Sequence, residues 1–318
     1  MSHRSTIVKL AKDYLAYRRK LGVDLKSAGP LLIQFARYAD RRGHRGPLTS
    51  QLAIRWAGLP RQVSRTYLAR RLDVVRCFAK HRAIFDHETE VPPSNVFGPA
   101  YRRVTPHIYT AAEISALLTA ARELPPRDGL RPQTYATLFG LLACTGLRLR
   151  EALRLTRSDV DWKRGLLTIR VTKFRKSRLV PLHPTAIQAL RDYARRRDRH
   201  YPDAKTEAFF LTIRGTQPSY AAVEHAFLQL RRKLSCSPRG GHPAPRIHDL
   251  RHTFACHRLV LWHKQHVDVE QQLLALSTYL GHASVRDTYW YFTAVPELLQ
   301  IAGARFEHFT ESNSGDHS

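Results

Sequence analysis

The stretch from Arg246 to Tyr291 constrains this chain more than any other. It reads R-I-H-D-L-R-H-T-F-A and then, further on, Y-L-G-H-A-S-V-R-D-T-Y-W-Y. His248 and Arg251 stand at i and i+3, so a helix would place both on one face. His282 follows Gly281, and Tyr291 lies nine positions after that histidine. A separate T-G-L-R-L-R-E runs from Thr145 to Glu151. Together these segments supply two guanidinium forks, two imidazoles and a phenol. That inventory suits the attack of a tyrosine on a phosphodiester.

Charge points the same way. The 318 residues carry 52 Lys and Arg against 26 Asp and Glu, a net charge of +26. Such an excess implies a polyanionic partner, because each neutralised phosphate releases condensed counterions. The basic residues are spread along the chain: 21 against 7 acidic ones up to Thr105, and 31 against 19 beyond it. Both parts therefore suit contact with nucleic acid, double-stranded DNA being what the resemblance given below implies; a solvated basic surface is the plainer alternative. Cys77, Cys144, Cys236 and Cys256 lie far apart with no C-x-x-C pairing, which argues against structural zinc and a disulfide framework. No apolar run approaches membrane-spanning length, and M-S-H-R-S-T-I-V lacks the apolar core of a signal peptide. The expected location is the cytoplasm, in association with the nucleoid.

Periodicity predicts a helical first domain over residues 1–85. Ser5 to Leu21 and Ala28 to Arg42 carry apolar residues at helical spacing and stop at Gly22 and Gly43. Shorter helices are predicted at Gln51 to Ala57 and Ser64 to Ile84. D-H-E-T-E-V-P-P-S-N-V-F-G-P-A has no periodicity and reads as part of a linker over 86–108. A second domain, 109–310, opens on T-A-A-E from Thr110, a capping box. Tyr135 to Cys144 is predicted to be a buried helix. Gly165 to Thr172 and Arg178 to Leu182 form a β-hairpin with the basic tip K-F-R-K-S. Further helices are predicted at Pro184 to Arg199, Tyr220 to Leu234, Ile247 to Trp262, Val269 to Leu280 and Val285 to Phe292. Residues 311–318 are too polar to pack and read as disordered.

Several residues carry chemistry. Arg148 follows T-G at a helix start with Glu151 one turn on, where a carboxylate can fix the guanidinium. The plainer reading is a surface ion pair. Arg148 and Arg251 together match the non-bridging oxygens of one phosphodiester, whose charge grows in the transition state. His248 can exchange protons beside them, or be a structural histidine. A metal role is weak, since His252 and His257 are five apart with no carboxylate cluster. Lys173, at the hairpin tip, is the candidate cation for protonating a leaving oxygen, with Lys176 second. His282 falls at a helix end. Tyr291, in T-Y-W-Y-F, needs cationic neighbours to favour its anion, or is simply helix core.

In their order and spacing these motifs resemble the tyrosine recombinases, the group of lambda-type integrases, Xer-type resolvases and Cre. T-G-L-R-x-x-E aligns Arg148 and its supporting Glu151, V-T-K-F-R-K-S-R-L-V-P-L aligns Lys173, H-x-L-R-H aligns His248 and Arg251, and L-G-H aligns His282. Tyr291 takes the nucleophile's place. Phe174 and Arg175 depart from the small and polar residues usual after the hairpin lysine. Tyr289 is a rival nucleophile; on a helix it would point about 200° away from Tyr291. The resemblance implies a mainly α fold with a small β-hairpin or sheet, arranged as a two-domain C-shaped clamp of a helical core-binding domain and a mixed α/β catalytic domain. It implies integrase- or transposase-type strand exchange through a 3′-phosphotyrosyl bond, with no metal, no cofactor and no ATP. The expected assembly is a homo-tetramer on two DNA sites, alone or with sister recombinases, with no membrane partner. Val295 to Phe306 would dock on a neighbouring protomer, or pack on its own domain. A type IB topoisomerase and a catalytically inactive DNA-binding regulator are the alternative functions.

Overall fold

The computed structural model describes residues 6–101, 103–170, 177–234, 236–265 and 267–291. The chain divides into two compact units, Met1–Arg103 and Val104–Ser318.

The first unit contains four described helices, α1 (Ile7–Lys20), α2 (Ala28–Arg41), α3 (Ser50–Ala57) and α4 (Arg65–Arg82). Thr6, Thr49 and Ser64 cap α1, α3 and α4 by accepting from backbone N–H groups three residues on. Asp40 of α2 accepts from the N–H groups of Ile7 and Val8 at 3.0 and 3.1 Å, so a carboxylate from one helix satisfies the exposed donors of another. Apolar positions at helical spacing meet in one core around Leu32, Phe35, Trp56, Leu72, Val75 and Phe78. Arg71 is buried among them. It donates to the carbonyls of Trp56 and Ala57 at the end of α3, the first of which also accepts from the Leu59 N–H, and lies over the Trp56 ring at 3.8 Å. The proline-bearing segment after α4 has no regular structure, yet it is tied to this unit. Glu90 donates to Leu48, accepts from Ser50, and Arg76 donates to Pro92.

The second unit continues with α5 (Ala111–Arg122), α6 (Leu130–Thr145), α7 (Leu149–Leu153), β1 (Val160–Asp161), β2 (Leu166–Ile169), β3 (Arg178–Pro181), α8 (Pro184–His200), α9 (Tyr220–Lys233), α10 (Ile247–Lys264), α11 (Val269–Leu280) and α12 (Arg286–Tyr289). Its strands form one antiparallel sheet in the order β1-β2-β3, with Leu167 opposite both Val160 and Val180. Those three side chains face the core. A large cluster including Leu138, Phe139, Tyr193, Phe209, Phe210, Phe227 and Leu250 fills the space between sheet and helices. A smaller cluster joins α10 and α11 through Leu259, Leu273, Leu276 and Leu280, and takes in Tyr291.

The capping box at Thr110 and Glu113 forms as expected. Helix α6 starts five residues before the predicted Tyr135, because Pro132 falls in the first turn, where its missing N–H costs nothing. The predicted helix Val285 to Phe292 is cut short: α12 spans four residues and ends at Tyr289. Strand β1 is two residues long, too short for any period to reveal. The hairpin tip at 171–176 and the tail from Phe292 onward, with the predicted segment Val295 to Phe306, lie outside the described residues.

Replacing Arg71 by Met should leave the carbonyl of Ala57 without a donor and that of Trp56 with the Leu59 N–H alone, in a buried setting. Urea unfolding of the full chain should show a loss of about 2–3 kcal/mol; an unchanged midpoint would mean that water replaces the guanidinium at no cost.

Candidate active site

The site is assembled at the carboxyl end of α11. There the backbone closes in a Schellman turn: the N–H of Gly281 bonds the carbonyl of Thr278 at 3.0 Å and that of His282 bonds Ser277 at 2.9 Å. Gly281 supplies the left-handed residue this turn needs, with φ of 68°. The turn satisfies the carbonyls of Ser277 and Thr278 and leaves the next three, those of Tyr279, Leu280 and Gly281, facing out.

Three guanidinium groups take them. Arg178 Nε donates to Tyr279 at 2.6 Å. Arg251 NH2 donates to Leu280 at 2.7 Å, while its NH1 reaches the carbonyl of Gly146, at the end of α6, also at 2.7 Å. Arg148 donates to Leu280 at 3.4 Å and to Gly281 at 2.9 Å. The negative end of a helix dipole favours such cations. Gly146, with φ of 63°, and Gly281 are both required by space. A Cβ on the first would lie 2.6 Å from Phe254, and one on the second 2.8 Å from the Arg178 guanidinium.

Glu151 binds two of these cations. Its carboxylate accepts from the backbone and side chain of Arg148 at 3.0 and 2.8 Å, and from both terminal nitrogens of Arg178 at 3.2 and 2.8 Å. Its side chain is 9% exposed, which removes the surface ion pair from consideration. Burial alone would raise its pKa. The bonds and charge of Arg178, then those of Arg148, outweigh this and hold it at about 2. Arg251 is 3% exposed, and burial together with the charge of Arg148 lowers it to about 10, so it stays cationic at neutral pH.

Tyr291 is 2% exposed, against 51% for Tyr289. The predicted helical geometry does not separate the two, since α12 stops at Tyr289 and Tyr291 follows in a turn; what separates them is that the turn delivers Tyr291 into the α10–α11 cluster. Burial raises its phenol, and the charge and hydrogen bond of Arg251 pull the other way. His282 stacks on its ring at 5.9 Å and shares a 2.7 Å hydrogen bond between Nδ1 and the Thr288 hydroxyl. His252 meets the Tyr291 ring at 5.5 Å, Trp290 at 5.3 Å and His248 at 4.8 Å. His248, one turn before Arg251 on α10, opens to solvent.

Arg148, Glu151, Arg251, His282 and Tyr291 therefore converge, and His248 joins them through His252. Lys173 and Lys176 lie outside the described residues. Two side chains of the cluster escaped the sequence reading. Arg178 opens a strand and looked like one more basic residue beside a basic tip. In the sequence His252 suggests only a metal ligand paired with His257; its Nδ1 is buried without a hydrogen-bond partner. Among the described residues no three His, Cys, Asp or Glu side chains are grouped to hold a metal, and no helix is long and apolar enough to cross a membrane.

Comparison with known proteins gives a consistent picture. Residues 108–297 match the model of the phage integrase family. A protein of Sinorhizobium fredii described as an integrase/recombinase, y4rB, is 40% identical over 98% of this chain and 100% of its own length. The tyrosine recombinase XerC of Chlamydia trachomatis is 32% identical over 71% of this chain and 66% of its own. In fold, the Tn1549 transposon integrase in complex with circular intermediate DNA superposes with a TM-score of 0.69 at 18% identity, covering 96% of this chain and 100% of the other.

The imidazoles yield a test. Burial first, then nearby charge, lowers His282 to about 3 and His252 to about 2, the neighbours being Arg251 and Arg148 for the former and mainly His248 for the latter. A base with a depressed folded pKa takes its proton in the unfolded chain first, so stability is full above about pH 6.5 and falls below it. Glu151, held at about 2, adds a loss of the same sign below about pH 4.5. Between pH 7 and 5, urea unfolding should show a loss of about 1–2 kcal/mol for each of these two imidazoles. Equal stability at the two values would refute their neutral, buried state.

Proposed function

The chain belongs to the phage integrase family and is a tyrosine-type site-specific DNA recombinase; we propose that it cuts and rejoins DNA through a 3′-phosphotyrosyl intermediate on Tyr291. The observation that carries this reading is the convergence of Arg148 and Arg251 on one helix end beside the buried phenol of Tyr291. Each guanidinium keeps N–H groups beyond those given to carbonyls, and two planar forks fit the non-bridging oxygens of one phosphate.

In this reading the Tyr291 oxygen attacks the scissile phosphorus, a bond to the 3′-phosphate forms, and the bond from phosphorus to the 5′ oxygen breaks. The phenol proton passes to His248, which burial on its inner side and the charge of Arg251 lower to about 4, leaving it a neutral acceptor at pH 7. Lys173, assigned from the sequence, returns a proton to the leaving 5′ oxygen. A 5′-hydroxyl from a partner duplex reverses the sequence, so bond energy is kept and ATP is not consumed. His282, stacked on the phenol and tied to Thr288, orients the ring. The first unit serves as the core-binding domain, the second as the catalytic domain, and four protomers act on two DNA sites. Positive charge comes from side chains throughout, which makes the chemistry independent of metal.

A duplex selected from random sequence for adduct formation by the wild-type chain, nicked to trap the adduct, provides the assay. Tyr291→Phe should form no covalent adduct while its DNA affinity stays within about twofold, and Tyr289→Phe should cleave; adducts from the first variant, or none from the second, would reassign the nucleophile. Arg148→Ala and Arg251→Ala should each lose about 2–4 kcal/mol of transition-state stabilisation. Cleavage should persist in EDTA. Loss on chelation with recovery in Mg²⁺ would place the protein in another class of nuclease.

A further inference from the structure

Arg178 lies outside the residue set that the sequence assigns to the reaction, yet the site closes around it. Its side chain is 9% exposed and comes from the sheet, whereas Arg148 caps α7 and Arg251 sits on α10. All three kinds of nitrogen are committed: NH1 and NH2 to the two oxygens of Glu151, Nε to the Tyr279 carbonyl. An ionised carboxylate offers about four lone-pair directions. On Glu151 they are filled by the backbone and NH1 of Arg148 and by the two nitrogens of Arg178, two donors to each oxygen. Arg178 thus fixes the rotation of a carboxylate that Arg148 by itself would leave half-bonded in a buried place. Gly281 leaves the room for this fork, since any Cβ there would strike it.

We propose that Arg178 is a positioning residue for strand cleavage, acting through Glu151 to hold the Arg148 guanidinium where the phosphate will meet it. The inference rests on the function proposed above and assigns Arg178 no contact with DNA, because its fork is turned to Glu151 and its side chain is buried. A second consequence separates positioning from mere stability. With Arg178 gone, burial is opposed by Arg148 and the more distant Arg251 charge alone, and Glu151 becomes protonatable in mildly acid solution. A protonated Glu151 releases Arg148.

The test uses the full chain and the nicked duplex already described. Arg178→Met should form adduct slower by on the order of 10²-fold, the cost of misplacing one transition-state donor, with DNA affinity within about twofold and a cooperative melt. Its rate relative to wild type should fall further between pH 7.5 and 5.5, by roughly tenfold if Glu151 titrates in that window. In a Glu151→Gln background the same substitution should cost less than about threefold more, because the two residues act as one unit. Arg178→Lys, which keeps charge but has no fork, should stay below about a tenth of wild-type rate and serves if the Met variant melts without cooperativity. Wild-type rates in either variant, a pH-independent ratio, or full multiplication of the two effects would overturn the proposal. Adduct formation by Tyr291→Phe would instead remove the reading on which it rests.

Discussion

Three backbone carbonyls at the end of α11 hold this site together. Once the Schellman turn has used those of Ser277 and Thr278, Tyr279, Leu280 and Gly281 present partial negative charge to a place where three arginines must sit close to one another and mostly out of water. Mutual repulsion among unpaired cations there would be prohibitive. The helix end, the Gly146 carbonyl and the single carboxylate of Glu151 offset it. Every other feature follows. Two glycines are needed so that the backbone can turn and the side chains can pass, and α6, α7, β3, α10 and α11 must all end or begin at the same point.

The same concentration of positive charge sets the protonation of its neighbours. It keeps Glu151 ionised despite burial, and it adds to burial, the larger cause, in driving His248 and His282 toward the neutral form. On Tyr291 burial and charge oppose each other, and burial prevails, so the phenol keeps its proton. In the proposed reaction the negative charge of the phosphodiester compensates the arginines and meets the N–H groups that their anchors leave over. The Tyr291 phenol, 2% exposed in the free chain, is shielded from solvent.

How much of this the sequence reveals depends on how sparse each signal is. Chemistry-bearing side chains in a fixed order are rare, so Arg148, Glu151, His248, Arg251, His282 and Tyr291 stand out before any coordinates exist. Long periodic helices are legible for the same reason, and α11 falls at its predicted residues. Arg178 does not stand out in a chain with 52 basic residues, because what distinguishes it is a partner 27 positions away. The two residues of β1 and the early end of α12 are set by tertiary contacts rather than by local pattern. Tyr289 and Tyr291 show the limit well. A helical wheel favours one of them on any pair of opposite faces, but the choice is made by a turn that the wheel does not contain.

Arginine, and not lysine, is what such a centre demands. In the proposed reaction Arg148 and Arg251 have to be anchored before DNA arrives and must still offer donors afterwards. A guanidinium has five N–H groups in a rigid plane. Arg251 spends one on Gly146 and one on Leu280, Arg148 spends others on Glu151, Leu280 and Gly281, and donors remain for phosphate oxygens. An ammonium with three donors on a flexible stem would be exhausted by its anchors or left unanchored. Anchoring removes the conformational cost of ordering these side chains at the moment of reaction, which is the physical basis of electrostatic catalysis by a preorganised site. The helix end that neutralises the arginines is therefore also what makes them ready.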